Sequence, residues 1–129
     1  MELAKELGVS DATIHARVKK MVEEGLIKGF TIRLDHEKLG YGVTAFVEVR
    51  VKPGTVDDAL LKLSSTEGVL EVHEIHGHCD ILLKMKAKDL GELRDKVVNK
   101  IRKFEEVVSS EAFAVLKVVK EEDSLPISI

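Results

Sequence analysis

Apolar residues recur with a helical period near the start of the chain. In the stretch "DATIHARVKKMVEEG" they fall at i, i+4, i+7 and i+8, which is one face of a helix: Ile14, Val18, Met21 and Val22. Ser10 precedes this stretch as a favourable N-cap. A shorter helix, "MELAKEL", ends at Gly8, because glycine commonly terminates helices. The pattern predicts two consecutive helices joined by a tight turn.

The remainder of the chain alternates between apolar and polar positions. The stretch "LIKGFTIRL" predicts a linker strand, alone or after a turn. After it we predict four strands at 43–51, 69–76, 80–86 and 112–119, and two helices opening at Thr55 and Asp89. Thr55 and Asp58 resemble a capping box. The order βαββαβ predicts an α+β, ferredoxin-like sandwich with helices on one face of an antiparallel sheet. The first strand carries Phe46 on the face opposite its valines, and the last strand is apolar on both faces, so we expect the second face to pack against another subunit.

Composition narrows the class of protein. The chain has 129 residues, which allows one domain or two small modules, and the pattern changes near residues 34–42. A net charge of −3 excludes a globally basic nucleic-acid binder but not a local basic face. The chain has one cysteine, no run of 18 apolar residues and no signal-peptide pattern at its start. We therefore expect a cytoplasmic protein.

The two N-terminal helices have the spacing of a helix-turn-helix. The second helix would lie in a major groove, where two alanines keep its face slim and polar side chains reach bases and phosphates. The alternative interpretation is a solvated helix face, because three cations on one helix are common. The predicted DNA-binding residues are Ser10, Ala12, Thr13, His15, Ala16, Arg17, Lys19 and Lys20.

These features resemble the leucine-responsive regulatory protein/AsnC family. The resemblance rests on "ELAKELGVSDATIHARVKKMVEEGLIKGF", the βαββαβ order and "GHCD", and it runs from Glu2 to about Lys120. It implies a helix-turn-helix with a linker strand over 1–41, a RAM domain over 42–120 and an acidic tail over 121–129. It also implies a homodimer that assembles further, as an octamer, and binds amino acids between dimers.

The N-terminus departs from the family pattern. The family's DNA-binding unit has three helices, and the first should precede Met1, so the start has been trimmed or part of the module has been lost. Our leading hypothesis is an amino-acid-responsive transcriptional regulator that binds double-stranded DNA. The alternative is a RAM-type amino-acid-sensing oligomer that does not itself bind DNA. Neither hypothesis involves an enzyme, a cofactor or a membrane.

The stretch "HEIHGHCD" (73–80) concentrates residues capable of several chemistries. Structural zinc needs four ligands, usually in two spaced pairs, and no second cluster is present, so we predict no metal site. Nothing marks Cys79 as a nucleophile, and we predict no catalytic residue. A plain hairpin without a ligand remains an alternative.

By the family resemblance, Gly77-His78-Cys79-Asp80 forms a G-x-x-D turn that binds an amino acid. Main-chain N–H groups at the glycine could bind the ligand's carboxylate, and Asp80 could accept from its ammonium. His76 and His78 would be titrating neighbours. Ser110 lies near a position where the family tends to place hydroxyl residues, and Ala112 departs from that habit. The predicted effector-binding residues are His76, Gly77, His78, Asp80 and Ser110.

Overall fold

The computed structural model describes residues 2–123, and the side chains from Lys5 onward. Two compact units divide between Leu34 and Asp35, at the start of the predicted boundary region. The predicted acidic tail is described as far as Asp123, and its remainder, 124–129, lies outside the described residues. None of the helices in the described range combines the length and apolar character needed to cross a membrane.

The N-terminal unit contains the two predicted helices. Helix α1 spans Glu2–Leu7 and helix α2 spans Asp11–Glu23. Gly8, between them, has a φ of +68°, a conformation that side chains with a Cβ rarely adopt. The Ser10 hydroxyl accepts a hydrogen bond from the Thr13 N–H at 3.1 Å, which confirms the predicted N-cap.

The linker strand predicted within residues 26–34 is wrong. Over the described residues 24–42 the chain forms turns and irregular segments, with no strand. Its apolar side chains Phe30, Ile32 and Leu34 are exposed. A strand needs a neighbour for its main-chain hydrogen bonds, and the sheet formed by the described residues does not include this segment. The β propensity of this segment was therefore not sufficient to predict a strand.

The C-terminal unit has the predicted α+β order. Its elements are β1 (Val43–Val51), α3 (Val56–Ser64), β2 (Val69–Glu74), β3 (Ile81–Ala87), α4 (Leu90–Lys96) and β4 (Val107–Ala114). Helix α4 continues as a π-helical turn over Val97–Ile101. The strands form one antiparallel sheet in the order β2-β3-β1-β4. This confirms the ferredoxin-like fold with a helix-turn-helix before it.

The core lies between one face of the sheet and the helices. Alternate residues of β1 and β3 are buried there, as the period of two requires, together with residues of α3, α4 and the π-helical turn. The fully buried side chains with the largest volumes are Leu63, Ile81, Leu83, Met85, Ile101, Val47 and Val49. On the opposite face, Phe46 and Phe113 lie in register on β1 and β4, and both are exposed.

Two details of the predicted elements are wrong. Strand β4 covers Val107–Ala114 and not 112–119, because it pairs with β1 from Val107 to Ala114. The side chain of Leu116, within the predicted strand, is exposed. The Thr55 hydroxyl makes no capping hydrogen bond and instead donates to the Lys52 carbonyl oxygen at 2.7 Å. Pairing with β1 determines the bounds of β4. The turn before α3 provides the acceptor for the Thr55 hydroxyl.

Candidate DNA-binding and effector sites

The predicted DNA-binding residues occupy the start and the outer face of α2. Those toward the solvent are exposed: Ala12, His15, Ala16, Arg17, Lys19 and Lys20. Ser10 and Thr13 are joined by a hydroxyl–hydroxyl contact of 2.8 Å as well as by the N-cap bond. Lys20 approaches Glu24 at 3.9 Å, an exposed pair of little strength that leaves the lysine available. The predicted face is therefore exposed and carries the cations Arg17, Lys19 and Lys20.

The apolar stripe of α2 is incompletely covered. Ile14, Val18 and Met21 are half-buried, Val22 is exposed, and of the described side chains in α2 none is buried. The apolar side chains of Leu7, which precedes the helix in sequence, and Leu26, which follows it, are also exposed. The predicted stripe is therefore present as a surface, and a stripe of this kind is normally packed against another element.

Asp80 is the most constrained residue of the G-x-x-D turn. Its main-chain N–H donates to the Val49 carbonyl oxygen at 3.0 Å, and its carbonyl oxygen accepts from the Ile75 N–H at 2.9 Å. Its carboxylate oxygen Oδ2 accepts from the Val51 N–H at 2.9 Å. The carboxylate thus serves as an acceptor for β1 where the β1–β3 ladder ends, and the side chain is held in one place.

Two open cavities adjoin the turn. The first, of about 540 Å³, is lined by Arg50, Val51, Gly77, His78, Asp80 and Val108. The second, of about 370 Å³, is lined by Glu48, Arg50, His78, Cys79, Ser109, Ser110 and Glu111. Arg50 and His78 border both. The first cavity carries a guanidinium and a carboxylate, the two charges that complement a free amino acid.

His78 and Cys79 have different surroundings. His78 is exposed, and its Nε2 lies 2.6 Å from Oε2 of Glu48 on β1. Cys79 is buried, with its Sγ 3.8 Å from the Ile81 carbonyl oxygen. Burial raises the pKa of the Cys79 thiol, and the negative charges of Glu48 and Asp80 raise it further. A thiol with a raised pKa is a poor nucleophile.

Ser110 lies in the middle of β4 and not near its start. Its hydroxyl accepts from the Arg102 Nε–H at 2.8 Å, and its carbonyl oxygen accepts from the same guanidinium at 3.2 Å. Ser110 still lines the second cavity. Its hydroxyl is held by the Arg102 guanidinium, and the residue lies opposite the buried Val49 of β1.

The structure brings together Gly77, His78 and Asp80 as predicted, but not His76. Within the described part of the chain, His76 is exposed and lines neither cavity. Gly77 does not have a positive φ, and a Cβ built on it would meet nothing within 4 Å. The turn therefore does not require a left-handed backbone at Gly77, and the open space there lets a ligand approach.

Sequence reasoning missed Glu48 and Arg50. Both lie on β1 among the core valines, on the face away from the helices, and border a cavity at the turn. The signal available was their alternation with valine in "VTAFVEVRV", which places them together on one face. Their proximity to residues 77–80 depends on the strand order, which the sequence alone did not determine.

Comparison with known proteins identifies the class. Residues 2–28 match a family model described as winged helix-turn-helix DNA-binding, and residues 44–125 match the Lrp/AsnC ligand binding domain. A DNA-binding module followed by a ligand-binding module defines a transcriptional regulator and not an enzyme. The chain belongs to the Lrp/AsnC family.

Individual relatives agree with this assignment. The chain is 38% identical to the regulatory protein AsnC of Escherichia coli over 117 residues, 90% of this chain and 77% of AsnC. It is 35% identical to the HTH-type transcriptional regulator FL11 of Pyrococcus furiosus over 126 residues, 98% of this chain and 83% of FL11.

Solved structures share the fold. The structure of Escherichia coli AsnC superposes with a TM-score of 0.88 at 36% identity, covering 97% of this chain and 85% of AsnC. A transcriptional regulator of Neisseria meningitidis in complex with L-methionine superposes with a TM-score of 0.91 at 23% identity, covering 97% of this chain and 82% of that one. At that identity the second comparison concerns the fold alone.

Proposed function

We propose that this transcriptional regulator binds a free amino acid at the G-x-x-D turn and double-stranded DNA through α2. The observation that carries the effector site is that Arg50 and Asp80 both line one cavity. A free amino acid presents a carboxylate and an ammonium, for which a guanidinium and a carboxylate are the complementary partners. Of the two Asp80 oxygens, Oδ2 is already held by the Val51 N–H, which fixes the direction of the other.

Arg50 and Asp80 complement the two charges that free amino acids share, so they do not identify the ligand's side chain. The Neisseria meningitidis regulator was solved with L-methionine, so methionine belongs in any panel of candidate effectors. The test is calorimetric titration of the chain with a panel of amino acids, methionine included. We expect one class of site for a subset of them. Absence of heat with every amino acid would reject the effector site and leave a plain hairpin.

The DNA-binding half of the proposal rests on the exposed face of α2. The slim positions Ala12 and Ala16 lie beside Arg17, Lys19 and Lys20, and all are accessible. A gel shift with DNA from upstream of the chain's own gene tests this half. Retardation supports DNA binding by this chain. No retardation would favour the alternative function, a RAM-type amino-acid-sensing oligomer that does not bind DNA itself.

We also propose that the protein is at least a homodimer, with an octamer as the state that the family implies. Phe46 and Phe113 form an exposed aromatic pair in register on the sheet face away from the helices. Aromatic side chains paired on an open sheet are typical of a surface that another subunit covers. Light scattering at micromolar concentration checks this, and a stable monomer would contradict it. A regulator with these partners acts in the cytoplasm.

A further inference from the structure

Three potential metal ligands meet on the sheet face away from the helices. Glu48 of β1, His78 and Cys79 each place one ligand atom so that all three lie within 4.8 Å of one another. The sequence predicted no metal site at "HEIHGHCD" because no second cluster of ligands is present elsewhere in the chain. The fold adds Glu48, which is 30 residues from His78 in sequence. The ligand count that argued against a metal was therefore incomplete.

We propose that Glu48, His78 and Cys79 form a binding site for a divalent transition-metal ion of the zinc type. Carboxylate oxygen, imidazole nitrogen and thiolate sulfur are all zinc donors, and three protein ligands leave an open coordination position. This site adjoins the proposed amino-acid site, because His78 lines both cavities, but its ligand atoms are not those of Arg50 and Asp80, on which the amino-acid proposal rests.

The distances allow coordination after small side-chain movements. Zinc–ligand bonds of about 2.0–2.3 Å place tetrahedral ligand atoms about 3.2–3.8 Å apart. The Glu48–His78 contact of 2.6 Å would have to open, and pairs as far apart as 4.8 Å would have to close by about 1 Å. His78 is exposed and can move, whereas Cys79 is buried and provides a fixed donor.

The charges around the cluster favour a cation. Glu48 stands directly opposite Glu111 across the β1–β4 pair, and like charges in that position are destabilising. Asp80 adds negative charge beside Cys79. The positive charge of Arg50, which lines the same cavity, partly offsets that negative charge. A divalent ion would relieve the repulsion between the two glutamates. It would also displace the proton that the Cys79 thiol otherwise keeps.

Titration of the full chain, first stripped with a chelator, tests the site with Zn²⁺ and separately with Co²⁺. We expect one ion per chain in calorimetry, and with Co²⁺ a thiolate-to-metal charge-transfer absorption band. Glu48→Gln, His78→Ala and Cys79→Ser should each weaken Zn²⁺ binding at least tenfold, and Cys79→Ser should abolish the band. No amino acid is added, so the outcome is independent of the effector site.

His73→Ala is the matched control. His73 belongs to the same histidine-rich stretch but pairs with Glu71 at 2.9 Å, and we expect its Zn²⁺ affinity to equal that of the unmodified chain. His78→Ala keeps the test valid should Cys79→Ser disturb folding, because His78 is exposed. Absence of Zn²⁺ binding, absence of the band, or wild-type affinity in His78→Ala would each overturn the proposal.

Discussion

The Asp80 carboxylate accepts a hydrogen bond from the Val51 main-chain N–H at 2.9 Å, across 29 residues of sequence. The bond joins the turn to the end of β1 and uses Oδ2. The other oxygen, Oδ1, takes no part in it, and the residue borders the cavity that also contains Arg50. Asp80 therefore has a structural role and a proposed ligand role, which different substitutions can separate.

Asp80→Asn should retain the fold and lose the effector. The amide oxygen can still accept from the Val51 N–H, but the charge that pairs with an ammonium is gone. Hydrogen bonds to charged groups contribute about 1.5–3 kcal/mol, so affinity should fall roughly 10- to 150-fold. Calorimetric titration with the amino acid that the unmodified chain binds measures this. Undiminished affinity would remove Asp80 from the effector site.

Asp80→Ala provides the structural comparison. It leaves the Val51 N–H without its acceptor, which should cost about 1–3 kcal/mol of unfolding free energy. Urea denaturation of both variants distinguishes the two roles, since only the alanine variant should be clearly less stable.

Gly77→Val should leave the fold nearly intact. Gly77 has no positive φ, and an added Cβ meets nothing within 4 Å, so no strain is introduced at the backbone. The unfolding free energy should change by less than about 1 kcal/mol, as for compatible glycine replacements. If the ligand approaches the main chain at this turn, amino-acid affinity should nevertheless fall. A large loss of stability in urea would contradict the described backbone.

The accuracy of the sequence predictions depended on whether a signal was local. Period-two valines predicted the bounds of β1 and its core face, because side-chain alternation is a property of one strand. Ser10 predicted the start of α2 because an N-cap acts within one turn. For the last strand, the apolar run from Ala112 to Val119 predicted a strand over 112–119. Pairing with β1 nevertheless selected Val107–Ala114.

For the same reason, the sequence predicted only some of the residues that form the candidate sites. Gly77, His78 and Asp80 are neighbours in sequence, so one motif contained them. Glu48 and Arg50 reach the same place only because β1 lies beside β3, and that order is a tertiary fact. The three-ligand cluster therefore could not be counted from the stretch 73–80.

Arg17→Ala and Lys20→Ala should weaken DNA binding without unfolding the protein, because both side chains are exposed. A lost phosphate contact lowers the salt dependence by about one unit, whereas a lost base contact costs about 1–3 kcal/mol and relaxes specificity. Affinity measured across a range of salt concentrations separates the two cases. Lys103→Ala, which removes an exposed cation of the C-terminal unit, is the control. Unchanged affinity in both variants would exclude α2 from the interface.

Gly68→Ala should destabilise the C-terminal unit. Gly68 has a φ of +89°, and a Cβ there would lie 3.1 Å from the Lys86 carbonyl oxygen and 2.7 Å from the Lys96 Nζ. A residue with a Cβ in such a conformation costs about 1–3 kcal/mol, and the fixed carbonyl adds to this. Gly54→Ala is matched in φ, at +81°, with nothing within 4 Å of the added Cβ. Urea denaturation should therefore show the larger loss for Gly68→Ala.

The ion pair between Lys62 of α3 and Glu106 should make stability depend on pH. Lys62 Nζ lies 2.6 Å from Glu106 Oε1 and 2.7 Å from Oε2. This hydrogen bond lowers the pKa of the Glu106 carboxyl below its ordinary value of 4.5 and raises the pKa of Lys62 above 10.5. A lowered carboxyl pKa contributes stability that is present above 4.5 and is lost as the pH falls through the folded-state pKa.

The comparison of the unmodified chain with Glu106→Gln isolates this contribution. At pH 7 the variant should be less stable, because Lys62 loses its charged partner and Glu106 is almost fully buried. Below pH 4.5 the difference in unfolding free energy should shrink, because the carboxylate of the unmodified chain becomes protonated as well. Glu105→Gln, which removes a neighbouring exposed carboxylate, should show a smaller effect at pH 7. A Glu106→Gln difference that stays constant from pH 7 to 3 would show that the ion pair does not stabilise the fold.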